Sequence, residues 1–561
     1  MLNFLKLHIQ FQNIFEVSFG ICFLIILHVT LDYTEGIGLY LPNNIFLWIM
    51  IVIWTGLGIW KIHKKSIIVL SRFSISVFIG SIFLFLPLLF QNNFVIELIY
   101  LRFIGIIIII LFYFALLQLK ISKEEPLYLI IIGSITIKAM FELLIFFEPT
   151  FLIDLGLDSF IFNTLNQKNI FSTFLTIGPL LSLIIILKRT KTLNEFNYKS
   201  IFAYSCTFFS SIMLMLLQSR TALIAFPISI VLILIAKKHF NKNLIIWFFL
   251  TFLGIFIGNI LKNNTELNSK SRFQAEITKE STAFSGHARL SIYKVSFKIW
   301  KDHLILGSGY GSFLSIFRNY YAKERTSGSN VTSFGSANVL HPHNEFLFWL
   351  VEGGILPVIG FLIMIIGFIK MTLKGGRQAL ALIGCLFPIL FHTQLEYPFY
   401  NSTIHLILFV FFIYLIDKDY GVQYHFKNNL KIIPKLLAII IPLCSIIFLL
   451  TVLQTGYMIN RYEKTGYKRL EYLERALNPF SMKKKYDNLA LKNHLIIAKK
   501  TKNQNMLKNY ISIVEKNLKH SPFMFLYYDL ATAYQALGNM EKAWEIYKKG
   551  KYLYPDANWK D

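Results

Sequence analysis

Charge is scarce in this chain. Only 16% of its 561 residues are Asp, Glu, Lys or Arg, and 55% are hydrophobic, where an ordinary globular domain carries about 25% charged residues. With a mean hydropathy of +0.54, the composition excludes a soluble globular protein and implies a polytopic membrane protein. Cysteine is nearly absent. Cys22, Cys206, Cys385 and Cys444 all fall inside apolar runs and no Cys-x-x-Cys occurs. That excludes a disulfide framework or a cysteine metal site and leaves small packing residues. Carboxylates are few and spread out. Asp32 with Glu35, and Asp154 with Asp158, are spaced as solvated loop groups, so neither a metal nor another cofactor is expected. The excess of base, a formal charge of +25, comes without the aromatic-interleaved pattern of a nucleic-acid binder. It is accounted for by basic loops and a basic tail.

What is abundant is long apolar runs. A helix needs about 20 such residues to cross a bilayer, and by that measure roughly thirteen spans are predicted. Their approximate cores are 15–33, 44–60, 74–90, 95–118, 126–147, 170–187, 201–218, 221–236, 244–261, 345–369, 378–392, 402–416 and 436–455. The expected fold is all-α and polytopic, with about 12–14 transmembrane helices. No small-residue cleavage site follows the first run, which is therefore expected to stay in the membrane. Lys61, Lys64 and Lys65 follow the second span, and Lys188, Arg189 and Lys191 the sixth. Lys237, Lys238 and Lys242 follow the eighth, and Lys370, Lys374 and Arg377 the tenth. The positive-inside rule makes these loops cytoplasmic and puts the N-terminus there too. The stretch 263–343 and the C-terminal tail then lie on the outer side.

Two domains are expected: a membrane domain over 1–455, with the long outer loop 263–343, and an extracytoplasmic helical domain over 456–561. In the loop, Leu290, Tyr293, Phe297, Trp300 and Leu304 recur at spacings of three and four, with Lys294, Lys298 and Lys301 on other faces. This predicts an amphipathic helix suited to a membrane surface. Near the C-terminus, Tyr527, Leu530, Ala531, Tyr534, Gly538, Ala543, Tyr547 and Pro555 follow the small, aromatic and proline positions of a tetratricopeptide repeat, which the segment resembles; Gly550 replaces the usual alanine. A single repeat cannot stand alone. Residues 466–478 and 503–519 are the stretches expected to stack on it, unless the segment is simply a helical hairpin.

Several polar motifs stand on the expected outer side. Arg220 sits in Gln218-Ser-Arg-Thr-Ala222 between two spans. It is either an interfacial arginine snorkelling to headgroups or a planar fork presented to a phosphate. Arg289 ends Gly286-His-Ala-Arg289 and is either a solvated helix-start residue or a second phosphate ligand. The glycines of Leu306-Gly-Ser-Gly-Tyr-Gly-Ser-Phe313 lack the Lys-Ser/Thr of a nucleotide loop and read as a tight turn. His341-Pro-His343-Asn344-Glu345 stands before a span, where ionisable groups are rare and a functional site is the default reading. A histidine there can take a proton from a hydroxyl at neutral pH. His-x-His alone supplies too few ligands for zinc.

Taken together these motifs resemble the O-antigen ligase family and the related bacterial protein O-oligosaccharyltransferases. The match rests on the Ser-Arg-Thr-Ala turn, on the arginine–Ile-Trp–glycine-turn order, and on His343-Asn344 followed after nine residues by Gly354. Gln167-Lys-Asn169 and Glu396-Tyr397-Pro398 resemble two further segments of the oligosaccharyltransferases. Pro357 departs from the family pattern, which has threonine there. The resemblance covers roughly residues 160–420. It implies a glycan moved from undecaprenyl diphosphate to an acceptor hydroxyl at the outer face of a bacterial inner membrane, with no metal. It puts the catalytic role on His343 and diphosphate binding on Arg220 and Arg289. Supporting roles fall to His341, Asn344, Asn169, Glu396 and Tyr397. The implied acceptor is lipid A core, Ser or Thr of an exported protein, or, in a polymerase, another lipid-linked repeat unit. Membrane lipids are partners in every case, and the tail could bind a protein on its concave face. Arg72, Arg102, Lys138 and Glu142, in or near spans, keep a transporter or lipid flippase open as another class. A receptor or scaffold built around the tail is a further alternative.

Overall fold

A computed structural model of the chain describes residues 11–29, 31, 33–34, 36–91, 96–147, 167–188, 198–236, 242–263, 286–329, 331 and 338–559. Asp32, Glu35, Asp154, Asp158, Asn166, Arg189, Lys191, Lys237 and Lys238 lie outside the described residues, as does most of the Ser- and Gly-rich run 330–337. The protein is an all-α, multi-pass membrane protein. Inside a bilayer the backbone must satisfy its own polar groups, and helices do so within one segment. Among the described residues nine helices are long and apolar enough to cross a membrane. Two shorter apolar helices accompany them, Asn13–His28 and Arg220–Ala236.

The difference from thirteen spans has local causes. The expected span 345–369 is two helices, Glu345–Gly353 and one beginning at Ile355. Between them Gly354 adopts φ +71°, and a Cβ there would stand 2.1 Å from the Ile305 carbonyl oxygen. Only glycine permits both the conformation and the approach. The remainder of that span and the expected span 378–392 are two helices that follow one another within Ile355–Thr393 and meet at Gly376, whose φ of +54° is not helical. The helix Thr403–Tyr420 is present and buried, but carries Asp417, Lys418 and Asp419 near its end. One feature was not expected: Ile67–Ser71 and Gln423–Lys427 pair as a two-stranded antiparallel ribbon.

The chain forms two compact units. The first comprises residues 1–78, 105–277 and 364–453; the second comprises 79–104, 278–363 and 454–561. The core of the first is built around helices Pro42–Lys65, Glu125–Phe147, Lys168–Lys188, Tyr198–Leu217 and Thr403–Tyr420. Lys168–Lys188 is its centre, with every residue from Ile170 to Leu187 buried.

In the second unit the amphipathic helix runs from Gly286 to Asp302. Its buried stripe is Ala288, Ile292, Val295 and Ile299, whereas Leu290 and Phe297 are 65% and 45% exposed. The expected apolar face is therefore the outward one. The helix has two apolar stripes, and the smaller, β-branched one packs inside the protein. The tail folds as helices Lys483–Lys500, Gln504–Leu518, Met524–Ala536 and Met540–Leu553, each packed on the next. The stretch 503–519 is helical as expected; 466–478 holds only the short turn Glu471–Glu474. At Gly550 a Cβ would stand 2.4 Å from the Trp559 ring, which explains why alanine is absent there.

Candidate functional site

In the first unit three of the sequence motifs meet. The helix Tyr198–Leu217 ends at Gln218, whose φ is +50°. Ser219 turns the chain into the helix Arg220–Ala236: its carbonyl accepts from Leu223 N–H at 2.9 Å. The Ser219 hydroxyl donates to Asn169 Oδ1 at 2.8 Å. Asn169 in turn donates through Nδ2 to Glu396 Oε1 at 2.8 Å. Asn169 stands in the first turn of Lys168–Lys188, and Glu396 follows the end of the helix at Thr393. The hydrogen-bonded line Glu396–Asn169–Ser219 thus fixes the helix start that presents Arg220. Arg220 itself is exposed, on the first turn of a helix whose unpaired N–H groups already favour an anion. Tyr397 is half-buried, its ring 6.5 Å from that of Tyr400.

Sequence reasoning missed the support behind this line. His392 is fully buried, with Nδ1 2.9 Å from the Thr173 hydroxyl and Nε2 4.0 Å from Glu396 Oε2. Thr173 donates its single hydrogen to the Asn169 carbonyl at 2.9 Å. The hydroxyl must then accept from His392, so the ring proton is on Nδ1. The spacing His392-x-x-x-Glu396, one helical turn, was the available signal.

The second unit holds the histidines. Asn344 caps the helix Glu345–Gly353, its Oδ1 accepting from Leu347 N–H at 2.9 Å. Glu345 accepts from Trp349 Nε1 at 2.8 Å. His343 adopts φ +58°, a left-handed conformation that strains a residue with a Cβ. The His343 N–H donates to His341 Nδ1 at 2.9 Å, which leaves His341 protonated on Nε2, 3.5 Å from Glu345 Oε2. Burial pushes the His341 pKa below its ordinary value, against the opposing pull of Glu345. A neutral ring is what the bond from the His343 amide requires. His341 therefore holds the strained backbone of its neighbour, and Phe348, 4.4 Å away, supports its ring. The Tyr293 hydroxyl donates to the His343 carbonyl at 3.3 Å. Tyr293 lies one turn beyond Arg289, so the helix bearing Arg289, itself half-buried, is tied to His343.

Behind the histidines lies a buried charge pair. Arg102 Nη2 stands 2.6 Å from Glu352 Oε2, with side chains 9% and 2% exposed. The guanidinium sits 4.8 Å from the Phe348 ring centre, 4.9 Å from Trp349 and 5.1 Å from Tyr310. Glu352 Oε1 accepts from the Gly311 and Phe313 N–H groups at 3.0 and 3.1 Å. Gly307, Gly309 and Gly311 all have positive φ, as the tight turn read from the sequence requires. The turn is thus bolted to the helix that Asn344 caps. Among the described residues, no three His, Cys, Asp or Glu side chains are grouped to hold a metal ion.

The structure therefore brings Asn169, Glu396 and the start of the Arg220 helix together in one unit. In the other it brings together His341, His343, Asn344 and the helix of Arg289. Residues 205–365 match the family model described as O-antigen ligase. Residues 380–561 match a second, described as virulence factor membrane-bound polymerase, C-terminal. No curated protein matches the chain.

Proposed function

Because the chain carries an O-antigen ligase domain joined to the C-terminal domain of a membrane-bound polymerase, we propose that it moves a glycan from undecaprenyl diphosphate to an acceptor hydroxyl at the outer face of a bacterial inner membrane. The observation that supports this best is His343, held in a strained backbone by His341 and Tyr293 inside the ligase-matching stretch. Strain of this kind persists where function needs it. In the proposed step the acceptor oxygen attacks the anomeric carbon and its proton passes to His343. The bond from that carbon to the phosphate oxygen breaks, and the lipid diphosphate leaves with the electron pair. Attack opposite the leaving group inverts the anomeric centre. Arg220 and Arg289 neutralise the charge growing on the diphosphate, an effect typically of ~3 kcal/mol per donor. Asn169 and Glu396 support the Arg220 turn, and Tyr397, next to Glu396, is a further supporting residue.

The acceptor is lipid A core or a protein Ser or Thr. The polymerase match over 380–561 favours a second reading, in which the hydroxyl belongs to another lipid-linked repeat unit. The test is transfer by the purified protein from a lipid-linked glycan, offering lipid A core, a Ser-rich peptide and a second lipid-linked unit side by side. Arg220→Lys and Arg289→Lys keep the charge but lose the bidentate fork. Each is expected to lose nearly all transfer at normal protein level. Full activity in either would reduce that residue to a surface charge. Orientation is tested separately. Cysteines replacing Ser329 and Ser521, in a chain without native cysteines, should react with an impermeant thiol reagent from the outer side. Protection of both would invert the topology and remove the proposed site.

A further inference from the structure

The last helix of the chain does not end in solvent. Helix Met540–Leu553 packs on the loop helix Phe313–Thr326. Leu314 and Ala322 of that loop helix are buried in one core with Tyr527, Leu530 and Tyr554 of the tail. Tyr554 is the centre of the contact. The Arg318 guanidinium, on a residue 1% exposed, lies 4.0 Å from the Tyr554 ring centre. A cation desolvated over an aromatic face is held firmly. Arg325 Nη2 donates to the Tyr552 carbonyl at 2.8 Å. The Tyr554 hydroxyl points its single hydrogen between two acceptors, the Pro522 carbonyl at 2.6 Å and Asn338 Oδ1 at 2.9 Å. Asn338 precedes His341 by three residues, with the buried Val339 between them.

We propose that Tyr554 and Arg318 are positioning residues: the C-terminal segment holds the loop helix and Asn338, and through them sets the His341–Asn344 stretch. The tail's first ligand is then a helix of its own chain, and the contact serves the transfer step. This rests on the reading that His343 carries the chemistry. A reacting group displaced by about 1 Å can cost up to about 100-fold in rate.

The experiment uses the full-length protein with Tyr554→Phe, Asn338→Ala and both together. Tyr554→Phe keeps the ring under Arg318 and removes only the hydroxyl. Asn338→Ala touches the loop end alone, so it stands even if the tail variant folds poorly. Each single change is expected to lower turnover about 10-fold while affinity for the lipid-linked donor stays the same. The double variant should be no slower than the slower single, because Tyr554→Phe already removes the contact that Asn338→Ala removes. Wild-type turnover in both singles, or losses that multiply in the double, would overturn the proposal. His343→Ala runs in parallel. If it is inactive while the singles are normal, only the positioning role falls. If it is active, the underlying reading of the histidine falls with it.

Discussion

His343→Ala should abolish transfer while the lipid-linked donor still binds. A positioned general base contributes ~10²–10⁴-fold in rate, and the arginines proposed to engage the donor stay in place. The backbone sharpens the test. His343 has φ +58°, so His343→Gly removes a steric cost of roughly 1–2 kcal/mol. Against that stands roughly 0.5–1 kcal/mol of added freedom in the unfolded chain. The glycine variant is therefore expected to be inactive yet as stable as the parent, within about 1 kcal/mol. His341→Ala should be milder, since His341 holds the His343 amide and the proposed proton acceptor is His343. Donor binding, transfer and thermal unfolding are measured on all three. If His341→Ala is dead and His343→Ala active, the roles within the motif are exchanged. If both remain active, the motif is only the entry to a helix.

The second large effect is on stability. Arg102→Met should strand the Glu352 carboxylate, 2% exposed, without its partner. Breaking a buried ion pair on one side costs about 3–5 kcal/mol, which would appear as a fall in the unfolding temperature of the purified protein. Arg102→Met combined with Glu352→Gln should recover most of it. Glutamine keeps an acceptor oxygen for the Gly311 and Phe313 amides, and methionine fills the space among Phe348, Trp349 and Tyr310. A double variant no more stable than Arg102→Met would show that the aromatic rings, not the pairing, set the cost. Arg102 had kept a transporter reading open as a charge within a span. Paired and ringed in this way, its geometry is that of a scaffold beneath the histidine loop.

The short motifs were legible because their meaning is local. His343-Asn344, the Ser219-Arg220 turn and the three glycines of 307–311 each act over a few residues, and the structure folds them as turns and caps. The partners were not legible. Glu352 meets Arg102 across 250 positions and Asn169 meets Glu396 across 227, and no periodicity encodes such pairings. The helix break at Gly354 was missed for a different reason. Glu352-Gly353-Gly354 is too short a dip between two apolar stretches to divide the run 345–369 by hydropathy, although the backbone must break there to clear the Ile305 carbonyl. On the helix Gly286–Asp302 the larger side chains of Leu290 and Phe297 drew the eye from the Ala288–Ile299 stripe that is buried. Size is a poor guide when a helix has one apolar face packed inside the protein and another exposed.

The bond from Arg325 to the Tyr552 carbonyl closes over 227 residues, and that distance is also a delay. Ribosomes add about 5–20 residues per second, so the loop helix must wait on the order of 10–50 s for the helix that packs against it. Through that interval the membrane helices can insert while Leu314 and Ala322 lack their final neighbours. On the positioning role proposed for Tyr554, the protein reaches working order only once the helix Met540–Leu553 has been made. A polypeptide cut short by damage or stalled synthesis would then sit in the membrane without acting on the donor.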